Sequence, residues 1–543
     1  MTKRLLMLAL CVASCGGLLT SAASPRFFPD DPIRRAPETQ DASGVQPSEI
    51  SLAYDSLINL FGHPGTREVV RAQDLNSIGD VPDSSWFTNR LGAGTMTPDE
   101  VARGVNDDTG PARGPWTIRS GKGNGVSPGF TILDSRGERY FVKFDPPGWN
   151  ELATGAEVVV TRLYHALGYN VPQTNIAYLS PEDLRLASNA TTTGLDGKPR
   201  RMRQKDIQSN LDRAARLPDG RYRVIVSQAL PGQPLGGFKY VGTRPDDPND
   251  VVLHENRRVL RALRVFGAWV NHTDAKAINS LDTLVAVDGR ELVRHHLLDF
   301  GSTLGSAGIG PRDRRDGYEY LVDVSAAMHA LPAFGFAPRA WMFYRYPDYR
   351  LIGRFEGTHF DPEAWRPRVP NPAFLRARPD DLFWGARLVM RFTDDLIRAA
   401  VSAGHYSDPR TGEALTKALI ERRDLIGRAW LTGVNPIDHP AIEDGMLTFE
   451  NPAVTYDFAK APASYTAVWS RFDNATGETT RIGETSGATS MAVPRDLPAA
   501  DGSFVQVDIR ADGGPHPSWA QPVHAWFRRA GGRWTLVGFQ RLP

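Results

Sequence analysis

Cysteine is almost absent from this chain. Two occur in 543 residues, Cys11 and Cys15, both close to the start. The body of the chain therefore has no disulfide and no thiolate metal site, and its stability must come from its apolar core. An excess of charge of one sign is missing too. Lys+Arg 63 against Asp+Glu 62 leaves a formal net charge of +1, without the basic surface a nucleic-acid binder needs to displace phosphate counterions. A basic cluster such as "PRRMRQK" at 199–205 reads as a solvated face. Long hydrophobic runs are lacking, since the apolar stretch near the N-terminus is too short to span a bilayer. Internal repeats are lacking as well.

Several catalytic signatures also fail. "HENRR" at 254–258 begins like a zincin helix, but Arg258 stands where the second histidine belongs. "HH" at 295–296 lies in an expected strand, whose side chains alternate between faces. "GSTLG" at 301–305 is not a nucleophile elbow. The glycine-rich stretch 120–129 is not a Walker loop, because no Ser or Thr follows Lys122.

Hydrophobic residues make up 41% of the chain and charged residues 23%, as in ordinary globular proteins. The length implies three or so folded units. The start, "MTKRLLMLALCVASCGG", has a basic opening, a short apolar run and small residues, the order of a secretory signal. "VASC" at 12–15 resembles a bacterial lipobox, which predicts a lipidated Cys15 after cleavage. Cleavage near Ala22 or Ala23 is the competing reading. Either way the chain is expected to be exported, to the periplasm, a membrane anchor or the medium.

Composition and periodicity suggest a linker at 24–47 and an irregular N-terminal extension at 48–115. That extension carries helices near 50–61 and 97–103, the second opened by Thr97, Pro98 and acids. "DVPDSSWFTNR" at 80–90 places Trp86 and Phe87 in a loop, where they are expected to plug a cluster against the next unit. Three strands are predicted over 116–145, with a turn at Arg136–Gly137, then a helix over 151–167 and a strand over 222–230. A helix over 251–270, a hairpin of strands 281–288 and 292–298, and long helices at 379–403 and 411–432 follow. The last two are expected to open at Asp380 or Asp381 and at Thr411. From 446 to 543 short alternating runs return and predict a separate β-sandwich-like module.

Four features fall in a chemically meaningful order. Glycines at 121, 123 and 125 would let backbone amides approach a polyphosphate, although a plain hairpin loop explains them as well. Lys143 points off the apolar face of its strand, and Glu157 lies in the following helix, so the two can pair and aim the ammonium at phosphate oxygens. "HTDAKAIN" at 272–279 and "LLDFG" at 297–301 supply Asp274, Asn279 and Asp299, oxygen ligands of the kind Mg²⁺ takes beside phosphate. Asp274 can also receive a hydroxyl proton or orient the nucleophile.

"HTDAKAIN" resembles the protein-kinase catalytic loop His-Arg-Asp-Leu-Lys-Pro-x-Asn at its His, Asp, Lys and Asn positions, and "DFG" at 299–301 is similar to the metal-binding triplet that follows it. The resemblance covers about residues 116–305, and "HALGYNVP" at 165–172 draws it toward the atypical HipA-type and CotH-type kinases and toward a group of exported bacterial proteins of the same layout. It implies an α+β bilobal fold, with a β-rich N-lobe at 116–232 and an α-rich C-lobe at 233–440. It further implies ATP and Mg²⁺ as cofactors, Lys143 on the α- and β-phosphates paired with Glu157, Asp274 as base, Lys276 neutralising the transferring phosphoryl, and Asn279 and Asp299 on the metal. Thr273 departs from the pattern, since it replaces the arginine that normally meets a phosphorylated activation segment. No "APE" sequence follows the triplet, and the interval from Asp274 to Asp299 is long. The expected activity is phosphotransfer to an unknown hydroxyl acceptor. A binding scaffold that kept the fold without turnover, and nucleotidyl transfer, are the alternatives.

Overall fold

The computed structural model describes residues 24–107, 109–122, 127–194, 197–333 and 337–542. The signal segment with Cys11 and Cys15, and glycines 123 and 125, lie outside the described residues.

Strands β1 (Trp116–Gly121), β2 (Gly129–Leu133) and β3 (Arg139–Phe144) form an antiparallel meander in which Gly129 pairs with Lys143 and Phe130 with Val142. Its second turn is closed by Asp134, whose carboxylate accepts from the Arg136 and Glu138 amides while Gly137 takes φ 86°. The meander is the centre of a seven-stranded mixed sheet in the order β4-β7-β3-β2-β1-β5-β6. The added strands are β4 (Thr174–Leu179), β5 (Leu184–Thr193), β6 (Pro199–Arg201) and β7 (Tyr222–Gln228). Of these only β7 was expected. It is buried along almost its whole length, whereas β4 and β5 are half-exposed, β6 is exposed throughout, and none shows clean apolar alternation.

Helices α1 (Leu52–Leu57) and α2 (Pro98–Arg103) belong to the N-terminal extension, the second with a full Thr97–Glu100 capping box. Helix α3 (Leu152–Leu167) follows the meander and is enclosed nearly all round. The buried Asp145 carboxylate accepts from the Glu151, Ala153 and Thr154 amides, the donors a helix start leaves open. Gly168 ends it at φ 123°.

The expected helix over 251–270 is broken. A short turn at His254–Asn256 and a four-residue helix at Arg258–Arg261 precede α4 (Leu263–Val270). The cause is local: Asp74 caps the Arg258 amide at 2.6 Å, and Arg258 and Arg261 turn inward to Asp380 and Asp381. Those acids were expected to open the helix over 379–403. They lie in the first turn of α5 (Pro379–Met390), where Asp381 accepts the Arg378 amide at 3.1 Å while both acids also pair with buried arginines, and Thr393 caps a second helix, α6 (Asp394–Ser402). Likewise Asp408, not Thr411, caps α7 (Pro409–Leu431).

A second sheet joins β8 (Gln233–Gly236) to the hairpin of β9 (Ser280–Val287) and β10 (Arg290–Leu297). Trp86 stacks on His295 at 3.5 Å and lies under Arg257, while Phe87 packs against Tyr169 and Trp384. Strands β11 (Asp438–Glu443) to β18 (Arg533–Arg541) make two further sheets. Where the periodicity suggested a separate unit, these sheets pack on the helices that precede them. One apolar core runs from Trp430, Leu431 and Ile437 into Val507, Ile509 and Phe527. Arg541 is inserted over the Phe383 ring at 3.8 Å and donates to the Ile437 carbonyl. Strand alternation marks where a sheet lies and carries no information about what covers its inner face.

Residues 24–47, expected as a linker, pack along the surface of the other units. Phe27 is buried with Phe472, Trp526 and Val537, and the Arg26 amide donates to Asn474. Farther along, Glu38 receives the Ser85 amide and hydroxyl, and Ala42 and Val45 pack with Leu235, Leu284 and Val293. A few apolar residues spaced along a polar stretch are enough to seat it as a strap. Among the described residues no helix is long and apolar enough to cross a membrane.

Candidate functional site

The polar stretch 272–279 follows Asn271, which ends α4 in the left-handed conformation. The His272 ring is buried edge-on to Phe300 at 5.5 Å, and burial pushes its pKa down to about 4, so it is neutral. Thr273 is buried and its hydroxyl accepts from Arg312. The Asp274 carboxylate meets Lys276 Nζ at 2.5 Å and Asn279 Nδ2 at 3.1 Å, and Asn279 Nδ2 also donates to the Asp274 carbonyl at 2.7 Å.

The hairpin between Asn279 and Leu298 explains the long interval to Asp299. Its register closes from Val287–Arg290 back to Ser280–Leu297, and the Leu298 amide then donates to the Asn279 carbonyl at 2.9 Å. The excursion therefore returns Asp299 to the loop it left. Asp299 takes φ 61°, a left-handed conformation uncommon outside glycine, asparagine and aspartate. Phe300 is fully buried against Tyr164. A Cβ on Gly301 would lie 3.0 Å from Glu157 Oε2, so glycine lets this segment approach α3 closely.

Lys143 joins the two halves. Its Nζ lies 3.0 and 3.2 Å from the Glu157 carboxylate oxygens and 2.9 Å from Asp299 Oδ1. Burial opposes the ammonium charge, but Asp299 and Glu157 outweigh it and hold its pKa above the usual range. Burial raises the Glu157 carboxyl against the pull of Lys143, whereas Lys143 lowers that of Asp299. Asp299 keeps 44% of its side chain exposed, which leaves an oxygen free to face the cleft.

These residues line one cavity of about 850 Å³ that also takes in Gly121, Lys122, Ser127, Asp274, Lys276 and Asn279. Next to it an apolar slot of about 220 Å³ is walled by Phe141, Val142, Pro172, Leu230, Ile278 and Leu298. The Ser127 hydroxyl donates to the Gly308 carbonyl across one edge. Gly121 reaches the cavity, but its lack of a side chain is explained by Thr192, which a Cβ would meet at 2.8 Å. Lys122 was not singled out from the sequence, although the glycine-rich stretch that holds it was. Burial and the neighbouring Lys143 both lower its pKa. Nor were Ile278 and Leu230 foreseen, because an apolar slot assembled from well-separated segments leaves no local pattern.

No group of three or more His, Cys, Asp or Glu side chains gathers as a metal cluster among the described residues. The cleft offers two carboxylates and an amide instead, a sparse hard-oxygen set that suits an ion sharing its coordination with phosphate and water.

No protein-family model matches the chain, and no curated protein matches it. Among solved structures, the Helicobacter pylori proinflammatory kinase CtkA is similar at 14% identity over 56% of this chain and 92% of that one, with a TM-score of 0.28. The Golgi casein kinase is similar at 11% identity over 74% of this chain and 97% of that one, also with a TM-score of 0.28. At such TM-scores neither likeness weighs in the reading of the cleft.

Proposed function

We propose that the cleft is a phosphotransferase site of the bilobal protein-kinase type, using ATP and Mg²⁺ on a hydroxyl acceptor, in a chain that is exported and anchored through Cys15 or released. The observation that carries this reading is the meeting at Lys143: a strand lysine, a helix glutamate and Asp299 converge within 3.2 Å in the wall of the cavity that holds Asp274 and Asn279. Two unrelated surface charges would not be held together with a third from a segment more than a hundred residues away.

In this reading the apolar slot takes the base, and Lys143, braced by Glu157, binds the α- and β-phosphates. Asp299 and Asn279 would hold Mg²⁺, which supplies positive charge against the polyphosphate oxygens. The acceptor oxygen bonds to the γ-phosphorus as the bond to the β–γ bridging oxygen breaks, and Asp274 takes the hydroxyl proton. Lys276, 2.5 Å from Asp274, offsets charge on the transferring group.

Incubation with γ-labelled and α-labelled ATP separates the outcomes. Transfer of the γ-label supports the kinase reading, transfer of the α-label replaces it with nucleotidyl transfer, and binding without either leaves a scaffold. Asp299→Asn should abolish metal-dependent nucleotide binding and turnover together. Asp274→Asn should leave MgATP binding nearly intact and lower turnover by about 10²-fold or more. A wild-type protein that binds no nucleotide with or without Mg²⁺ ends the reading.

A further inference from the structure

Thr273 stands where kinase loops of the resembled type carry an arginine, yet its hydroxyl accepts from a guanidinium, that of Arg312. Arg312 comes from the far side of the segment that follows Asp299, and it is 2% exposed. The same guanidinium donates to the Ser302 carbonyl and, at 3.0 Å, to the Ser306 carbonyl, with Asp316 3.5 Å away. The segment is fastened at other points too: Leu304 donates to the Val270 carbonyl at 2.9 Å, Arg312 to that of Gly305 at 2.8 Å, and Arg354 to that of Arg312 at 2.5 Å. A buried guanidinium is costly unless its donors are used, and here they are spent on three places in the chain.

Those places matter. Thr273 adjoins Asp274, and Ser302 lies three residues past Asp299. One rigid planar group thus spans the neighbours of both carboxylates. Its acceptors are a hydroxyl and two carbonyls, with the Asp316 carboxylate beside it, all groups of the chain itself.

We propose that Arg312 is a positioning residue that fixes the separation of Asp274 and Asp299, so that the segment after Asp299 keeps its working shape without being phosphorylated. This rests on the phosphotransferase reading of the cleft. Arg312 supplies from downstream the brace that the missing loop arginine would give from within the loop, and it needs no added charge to engage.

The test compares wild type with Thr273→Ser, Thr273→Val, Arg312→Lys and Arg312→Met. Thr273→Ser keeps the acceptor hydroxyl and should stay within about twofold of wild-type kcat, whereas Thr273→Val and Arg312→Lys should lose about tenfold or more, as expected for a small misplacement of reacting groups. MgATP affinity should change by less than about threefold in all, because no nucleotide-binding group is removed. Wild type stripped by phosphatase should turn over without a lag. Should the Arg312 variants fail to fold, the Thr273 pair carries the comparison. Folded Arg312→Lys or Thr273→Val with wild-type kcat, nucleotide affinity that falls in step with kcat, or loss of activity on phosphatase treatment would each overturn the inference while leaving the kinase reading intact. If wild type binds MgATP without turnover, amide exchange over residues 299–306 decides: faster exchange in Thr273→Val supports the brace, and unchanged exchange overturns it. If wild type binds no nucleotide, the kinase reading fails and this inference fails with it.

Discussion

Lys143→Met removes a charge from the cleft and keeps most of the side-chain volume. The resulting loss is set by what stays behind. Glu157 is 2% exposed and has no other cation within hydrogen-bond distance among the described contacts. Asp299, 44% exposed on its side chain, can turn to solvent. Removing one partner of a buried ion pair costs about 3–5 kcal/mol, and because Lys143 itself keeps 19% of its side chain exposed the lower end, about 3 kcal/mol at pH 7.5, is the better figure. In a unit of a few hundred residues that is a fall in Tm of roughly 5–10 °C. The pH dependence has a definite sign. Burial raises the folded pKa of Glu157, and without Lys143 it rises further, so the folded variant holds a proton that the unfolded chain releases. The deficit is full above that folded pKa, shrinks as pH falls through it, and vanishes below the unfolded value of about 4.3. Thermal and urea denaturation at pH 5.0 and 7.5 should therefore show the variant approaching wild type on acidification. The double variant with Glu157→Gln should regain all but about 1 kcal/mol, since neither partner is left charged and alone. A Lys143→Met protein as stable as wild type at pH 7.5, or one whose deficit grows toward pH 5, would refute the reasoning.

His272, with its pKa pushed down to about 4 by burial, should keep a neutral-ring NMR signal to below pH 5; because the unfolded chain binds its proton first, stability should fall as pH drops from about 6.5 toward 4. Gly168→Ala places a Cβ 2.3 Å from the Phe87 ring at φ 123°, and should destabilise by about 2 kcal/mol or more in chemical denaturation. Truncation after residue 437 strips the cover from Trp430, Leu431 and Ile437, so the shortened chain should aggregate or bind a hydrophobic dye, and a soluble, cooperatively folding product would show that the core is divided.

The parts of the cleft legible in the sequence are those set by short-range chemistry. β3 alternates cleanly, so Lys143 could be placed off the apolar face from "RYFVKFD" alone. The hairpin turn at Asp288–Gly289, with both residues at positive φ, sits where two strand runs flank it. What stayed hidden depends on distant partners. The helix over 251–270 breaks because Asp74 caps Arg258 from far upstream. Asp380 and Asp381 read as a helix start, and Asp381 does accept the Arg378 amide, but nothing local marks the buried arginines that also claim them. Arg312 carries no signal beyond being one arginine in "PRDRRD"; only the fold brings it behind Thr273. The sandwich-like module was recognisable as strands, but its packing on the helices beneath it was not.

The strap at 24–47 has a consequence in time. Phe27 is seated among Phe472, Trp526 and Val537, residues that leave the ribosome after nearly everything else. The mid-strap partners, Glu291 and Leu284 among them, are made much earlier. A segment synthesised near the beginning must therefore remain unseated at one end until the chain is almost finished, and folding closes where it began. A chain halted before β13 (Ser464–Phe472) would hold Ala42 and Val45 in place and leave Phe27 without a socket, so completion of the last sheet and fastening of Phe27 are a single event.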